Sequence, residues 1–281
     1  PFALLEEWAD KAAAIIRPRF RRLPALGWIG GSWGWGGYPT AEAYTLANAR
    51  KMAERLKGFG FEFVWVSIAN LPGGNPGGWQ GWNERNFPSG IKYLIDELDK
   101  SGLKLGFWFS PFMLSTHLTE LVEELDDAIL RAPDGERLIY YPRWSHGDAG
   151  MLPYTQRPCC YALDPSHPKT QDFLRRSLRH YYDLGVRYYM LDFIEAGSGE
   201  ILRHPYLAHH DRQLVAGPEV FTAGMKVVRE AAGPDTFLLA STGPFLYDAG
   251  LVDAVRVGND FGEGRRIMPD SGFYPASFVI N

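Results

Sequence analysis

Phe61-Glu62-Phe63-Val64-Trp65-Val66-Ser67-Ile68 is a nearly unbroken apolar run. A strand with one face in water would alternate apolar and polar residues. This one does not, as expected of a strand buried on both faces of a parallel sheet. Gly58 and Gly60 stand before it, and a Gly/Pro/Trp-rich loop follows it through Pro88. On its N-terminal side, Thr40–Lys57 carries apolar residues at Ala43, Leu46, Ala47, Ala53 and Leu56. That helical spacing, with Thr40 as N-cap, predicts a helix.

The same alternation extends in both directions. Candidate strands are Leu26–Gly30, Leu103–Phe109, Val186–Phe193, Thr236–Ala240 and Ala254–Gly258, with a seventh beginning at Ala276–Ile280. Candidate helices are Ile91–Lys100, capped by Ser89, then Pro168–Leu184 and Gly217–Ala232. Strand–helix alternation of this kind predicts an α/β fold of the (β/α)8 TIM type. No sequence remains for an eighth strand, so the barrel is expected to stop before its last strand. Residues 1–24 read as a helical lead-in and 25–281 as the barrel. The stretch at about 111–165 is too long for a βα connection and reads as an insertion.

The 281 residues carry 29 Lys+Arg against 33 Asp+Glu, a net charge of −4. That balance leaves no basic excess for a phosphate backbone and argues against a nucleic-acid partner. No apolar run is long enough to span a membrane. The two cysteines are the neighbours Cys159 and Cys160. Adjacent cysteines rarely pair, so free thiols and a reducing compartment, the cytoplasm, are expected. Aromatic residues make up 14% of the chain, which suits either a large barrel core or sugar-stacking surfaces. Nothing in the sequence fixes the oligomeric state.

Active sites of such barrels lie at the carboxyl ends of the strands. Two of these ends carry carboxylates, Asp192 in Tyr188-Tyr189-Met190-Leu191-Asp192-Phe193 and Asp260 in Val255-Arg256-Val257-Gly258-Asn259-Asp260. A facing pair of carboxylates is what glycoside hydrolysis requires. A single strand-end Asp is more often a cap or a surface residue. Adjacent His209 and His210, with Asp211, point apart and read as a solvated loop. The strand ends offer no His/Cys/carboxylate set with metal-ligand spacing, so no metal or other cofactor is expected.

Six segments tip the balance. In order they are Gly27-Trp28 with Ser32-Trp33, Asn86–Gly90, Gly102–Phe112, Tyr161–Pro168, Tyr189–Phe193 and Gly250–Asp260. Together they resemble the retaining α-galactosidase and raffinose-synthase-like clan of glycoside hydrolases over nearly the whole chain. The resemblance implies a carbohydrate substrate, Asp192 as nucleophile and Asp260 as acid/base. It also implies that Arg256 contacts the sugar near its 2-hydroxyl, that Ser241 replaces a family cysteine, and that Trp108 and Trp33 line the site.

The departures from the family matter as much. The family ends strand two with an Asp-Asp pair that holds the 4- and 6-hydroxyls of galactose, and here those positions are Ser67 and Ile68. A family lysine two residues before the nucleophile is Met190. Glu195, three residues past Asp192, is the leading replacement contact. Asn70, Asn75, Trp79, Gln80, Trp82, Trp144, His146 and Asp148 are further candidates. The expected activity is that of a retaining, exo-acting α-glycosidase, hydrolytic or transglycosylating, with a glycone other than plain galactose. The alternative is a carbohydrate-binding pseudoenzyme on the same barrel.

Overall fold

The structure, a computed structural model, describes residues 2–17, 26–30, 37–56, 58–197, 208–214, 217–241 and 245–256. In chain order the elements are α1 (Phe2–Ile16), β1 (Leu26–Gly30), α2 (Ala41–Arg55), β2 (Phe61–Val66), α3 (Gly90–Lys100) and β3 (Lys104–Phe109). Then come β4 (Met113–Ser115), α4 (Thr119–Glu124), β5 (Ile139–Tyr141), α5 (Gly147–Gly150) and β6 (Cys160–Ala162). The chain continues through α6 (Pro168–Leu184), β7 (Tyr188–Leu191), α7 (Gly217–Ala232), β8 (Phe237–Ala240), α8 (Phe245–Asp248) and β9 (Ala254–Val255).

Six strands form one parallel sheet in the order β1-β2-β3-β7-β8-β9. This is the sequential order of a TIM-type barrel, and the six strands form an arc in which each pairs with the next. The expected seventh strand at Ala276–Ile280 lies outside the described residues.

Side chains alternate across the sheet. Val64, Val66, Leu105, Phe107, Tyr189, Leu191 and Leu238 join the large core that includes α2, α3, α6 and α7 residues. Phe63, Tyr188 and Phe237 pack together on the other face, with Trp65, Met190, Leu239 and Ala254 against them. Tyr188 and Phe237 stack at 5.8 Å with an interplanar angle of 5°. Gly106 makes room for this layer, because a Cβ there would meet Cδ1 of Tyr188 at 2.6 Å.

The helices start and stop for local reasons. The Thr40 hydroxyl accepts from the Ala43 N–H at 3.1 Å, as its N-cap role requires. Ser89 does not cap α3. Its own residue is α-helical, and its Oγ and N–H instead donate to the Glu42 carboxylate at 2.8 and 2.9 Å, joining α2 to α3. At the start of α6, His167 Nδ1 accepts from the Lys169 N–H at 3.2 Å. Gly185, with φ 111°, closes α6 by donating back to its last turn, so β7 begins at Tyr188 rather than Val186.

Between β3 and α6 the chain builds a three-stranded antiparallel sheet of order β4-β6-β5. It is fastened to the loop after β2. Trp144 Nε1 donates to Gly74 O at 2.8 Å, and the Asp148 carboxylate accepts from Asn83 Nδ2 at 3.0 Å and pairs with Arg85.

Asp164 ties the end of this sheet to a later loop. Its Oδ1 accepts from the Ser166 N–H and Oγ at 2.9 and 2.7 Å and faces His209 Nδ1 at 3.2 Å. Its Oδ2 accepts from the His210 N–H at 2.6 Å. Burial by itself would raise the Asp164 pKa, but the hydrogen bonds from His209, His210 and Ser166 outweigh it and hold the carboxyl below its usual range. The 208–214 loop is therefore pinned at His209, which is 6% exposed, rather than solvated throughout.

Asp164→Ala is expected to lower unfolding free energy by about 3 kcal/mol, the scale of charged hydrogen bonds lost in a buried site. Urea unfolding at neutral pH checks the size. A folded pKa below the unfolded one stabilises above the unfolded value and loses that stabilisation as pH falls through the folded value. The gap between wild type and variant should therefore persist at pH 5–8 and shrink only in strong acid.

Candidate active site

The carboxyl ends of β7, β8 and β9 bring three predicted residues into one row. The parallel ladder continues one residue past each strand. Asp192 N–H donates to Phe109 O at 3.0 Å, Ser241 N–H to Leu191 O at 2.7 Å and Arg256 N–H to Ala240 O at 2.8 Å. Met190, Leu239 and Ala254 are neighbours in register on the inner face. Two residues further along each strand, Asp192, Ser241 and Arg256 return to that face.

Both carboxylate oxygens of Asp192 are engaged. Trp108 Nε1 donates to Oδ2 at 3.0 Å, and the Phe193 N–H donates to Oδ1 at 3.1 Å. Phe193 reaches this position with φ 49°, in the left-handed region that a bulky residue seldom adopts. Such backbone strain clusters at functional sites.

Trp108 enters the site through its N–H rather than as a stacking face. Its ring is 2% exposed and packs between Trp79 and Trp144, with centroids 6.0 and 5.7 Å away. Phe193 is the half-buried hub of the aromatic wall. It lies edge-on to Trp144 at 5.8 Å, Tyr141 at 5.9 Å, Tyr140 at 6.1 Å and Trp108 at 6.3 Å.

Glu195 stands in the short 3-10 turn Ile194–Gly197 and accepts a hydrogen bond from the Tyr140 phenol. Burial, reinforced by the Glu195 carboxylate, pushes the Tyr140 pKa far above its usual value, so the phenol keeps its proton. The sequence reading missed Tyr140. Its only signal was the aromatic pair Tyr140-Tyr141 inside the insertion, and nothing in the local pattern ties that pair to β7.

The remaining predicted residues fall as follows. Ser67 is buried just past β2. Ile68 takes φ 64°, and a Cβ on Gly147 would meet its Cγ2 at 2.6 Å, so this side chain packs under the insertion. Met190 is half-buried in the row below Asp192, opposite Trp108. Ser241 Oγ is buried without a hydrogen-bond partner among the described residues. Asp148 is committed to Asn83 and Arg85. Asp260 and Trp33 lie outside the described residues, and with them the spacing between Asp192 and Asp260. Cys159 and Cys160 are free thiols. Among the described residues no group of three or more His, Cys, Asp or Glu is arranged to hold a metal, and no helix is long and apolar enough to cross a membrane.

No family model matches the chain. Solved structures do. An α-galactosidase from Thermus thermophilus, in complex with p-nitrophenyl α-D-galactopyranoside, superposes with a TM-score of 0.61 at 25% identity, over 89% of this chain and 45% of that one. The same enzyme with stachyose gives 0.62 at 25% identity, over 89% and 48%. An α-xylosidase from a soil metagenome shares the fold at a TM-score of 0.56 and 17% identity, over 84% and 32%. The chain therefore spans less than half the length of each. The structural neighbours are glycoside hydrolases of the α-galactosidase-like clan. This chain is similar in fold to their catalytic barrels.

Proposed function

We propose that the chain is the catalytic barrel of a retaining, exo-acting α-glycosidase with Asp192 as nucleophile and Asp260 as acid/base. In this reading residues 1–24 are a lead-in and 25–281 the barrel, with its insertion at about 111–165. The observation that carries it is the placement of Asp192. It sits at a strand carboxyl end, in one row with Arg256, with two neutral N–H donors holding its oxygens. Those donors fix the orientation of the carboxylate for attack.

In the first step an Asp192 oxygen forms a bond to the anomeric carbon. The glycosidic C–O bond breaks, and the leaving oxygen takes the proton of Asp260. In the second step Asp260 removes a proton from water, or from a sugar hydroxyl in transglycosylation, as that oxygen displaces Asp192. Two inversions give net retention, and a carboxylate separation of about 5–5.5 Å suits this chemistry. Arg256 meets the 2-hydroxyl, and Ser241 supplies a hydroxyl where the family has a thiol. The substrate is a small glycoside, with neither nucleic acid nor membrane as partner, and the free thiols suit the cytoplasm.

The pocket should serve plain galactose poorly. Ile68 is turned under the insertion, and Met190 replaces a cation. Each charged hydrogen-bond ligand is worth about 1.5–3 kcal/mol, or roughly 10- to 150-fold in kcat/KM. An aryl α-galactoside is therefore expected to fall at least about 100-fold below the best aryl α-glycoside altered at its 3-, 4- or 6-position. Steady-state kinetics on such a panel is the test, and a plain galactoside at the top of the ranking would remove this account of the glycone pocket.

A further inference from the structure

We infer that Tyr140 and Glu195 form a hydrogen-bonded acceptor pair beside the nucleophile, through which the insertion selects a glycone bearing a hydrogen-bond donor. The inference deepens the glycosidase reading and rests on it for the orientation of the sugar. In a double displacement the leaving group departs on the side of the anomeric carbon opposite the nucleophile. Groups beside the nucleophile therefore border the glycone ring.

Tyr140 and Glu195 are such groups. Glu195 follows Asp192 by three residues, in the 3-10 turn Ile194–Gly197, and the Tyr140 ring rests edge-on against Phe193, whose N–H holds the nucleophile. The Asp192 charge also acts on the Tyr140 phenol. Both residues are half-buried.

The chemistry follows from where the phenol proton goes. Tyr140 donates its only hydrogen to Glu195 Oε1 and keeps that proton, because burial and neighbouring carboxylates oppose ionisation. A hydroxyl whose proton is committed can only accept from a third group. Hydrogen bonding to a carboxylate also strengthens its oxygen as an acceptor. The matching ligand group is a donor, a sugar hydroxyl or an amino substituent, and a deoxy carbon or an ether at that position leaves the pair unmatched. The insertion thus carries selectivity that the bare strand ends lack. Tyr140 reaches the site from β5, whose sheet is anchored to the β2 loop through Trp144 and Asp148.

The test compares wild type, Tyr140→Phe and Glu195→Gln on aryl α-glycosides carrying hydroxyl, amino or hydrogen at each ring position in turn. At one position Tyr140→Phe should lower kcat/KM roughly 10- to 100-fold for the hydroxy or amino sugar. For the matching deoxy sugar, wild type and variant should agree within about threefold, because the lost partner is already absent. Glu195→Gln should weaken the same position. An equal loss on every sugar, deoxy included, would mean that Tyr140 only supports the fold and would overturn the inference. If wild type turns over no glycoside, the comparison moves to equilibrium binding of the free hydroxy, amino and deoxy sugars by calorimetry, on Asp192→Asn with and without Tyr140→Phe. Position-specific coupling in binding would then keep the inference while the glycosidase reading fails. Absence of sugar binding, or binding without that coupling, would end the inference.

Discussion

Asp192→Asn is expected to lower kcat by at least about 10⁴-fold with the fold intact, a loss on the scale seen when a covalent nucleophile is removed from an active site that is otherwise complete. That factor corresponds to about 5.5 kcal/mol of activation free energy. The substitution is gentle on structure. An amide oxygen can still accept from Trp108 Nε1, and the half-buried position keeps its volume. Thermal unfolding should therefore move little while turnover collapses. Asp192→Ala with azide sharpens the test, because the small anion can occupy the vacated space and attack the anomeric carbon directly. One displacement inverts, so the product should be the β-glycosyl azide. In the wild type, a 2-fluoro-α-glycosyl fluoride should leave its sugar esterified to Asp192, identifiable by peptide mass. A carbohydrate-binding pseudoenzyme would neither trap nor lose activity, and more than a tenth of wild-type kcat in Asp192→Asn would refute the nucleophile assignment.

The parts of this site that were legible in the sequence are those set by local pattern. Strands buried on both faces leave apolar runs, and β2, β3, β7 and β8 fall inside the runs that predict them. Asp192 and Arg256 could be placed because each lies near the end of a predicted strand run, and in the structure each follows its strand by one residue, where the ladder carries its geometry onward. Ser89 shows where local pattern misleads. A serine before a helix resembles a cap, yet the carboxylate of Glu42, far away in sequence, takes both of its donors. Ile68 shows a second limit. Alignment puts it at a sugar-ligand position, but a left-handed turn redirects it to Gly147. The closing of the insertion over Phe193, and the reach of Tyr140 to Glu195, depend on contacts between segments some fifty residues apart. No periodicity records such contacts, because each partner is compatible with many others until the packing is known.

Asp260→Asn is expected to produce a loss that depends on the leaving group, unlike the uniform loss at position 192. Asp260 lies outside the described residues, and the expectation rests on its place four residues after Arg256 in the segment that resembles the α-galactosidase clan. A general acid contributes roughly 10²–10⁴-fold when the departing oxygen needs a proton. Alkyl glycosides, with very basic leaving groups, should therefore lose about that much in kcat/KM. A dinitrophenyl glycoside, whose leaving group departs as a stable anion, should lose less than about tenfold in the same parameter. The pH profile carries an independent sign. A general acid must be protonated, so wild-type kcat/KM falls as pH rises through its pKa, and the variant should lack that alkaline limb. Azide separates the two carboxylates by stereochemistry. With Asp260→Asn the glycosyl-enzyme still forms on Asp192, and azide can replace water without needing a base. Two inversions then give the α-glycosyl azide, opposite in configuration to the product from Asp192→Ala. Equal losses for alkyl and dinitrophenyl glycosides, with no α-glycosyl azide from Asp260→Asn, would remove Asp260 from the acid/base role while leaving Asp192 in place.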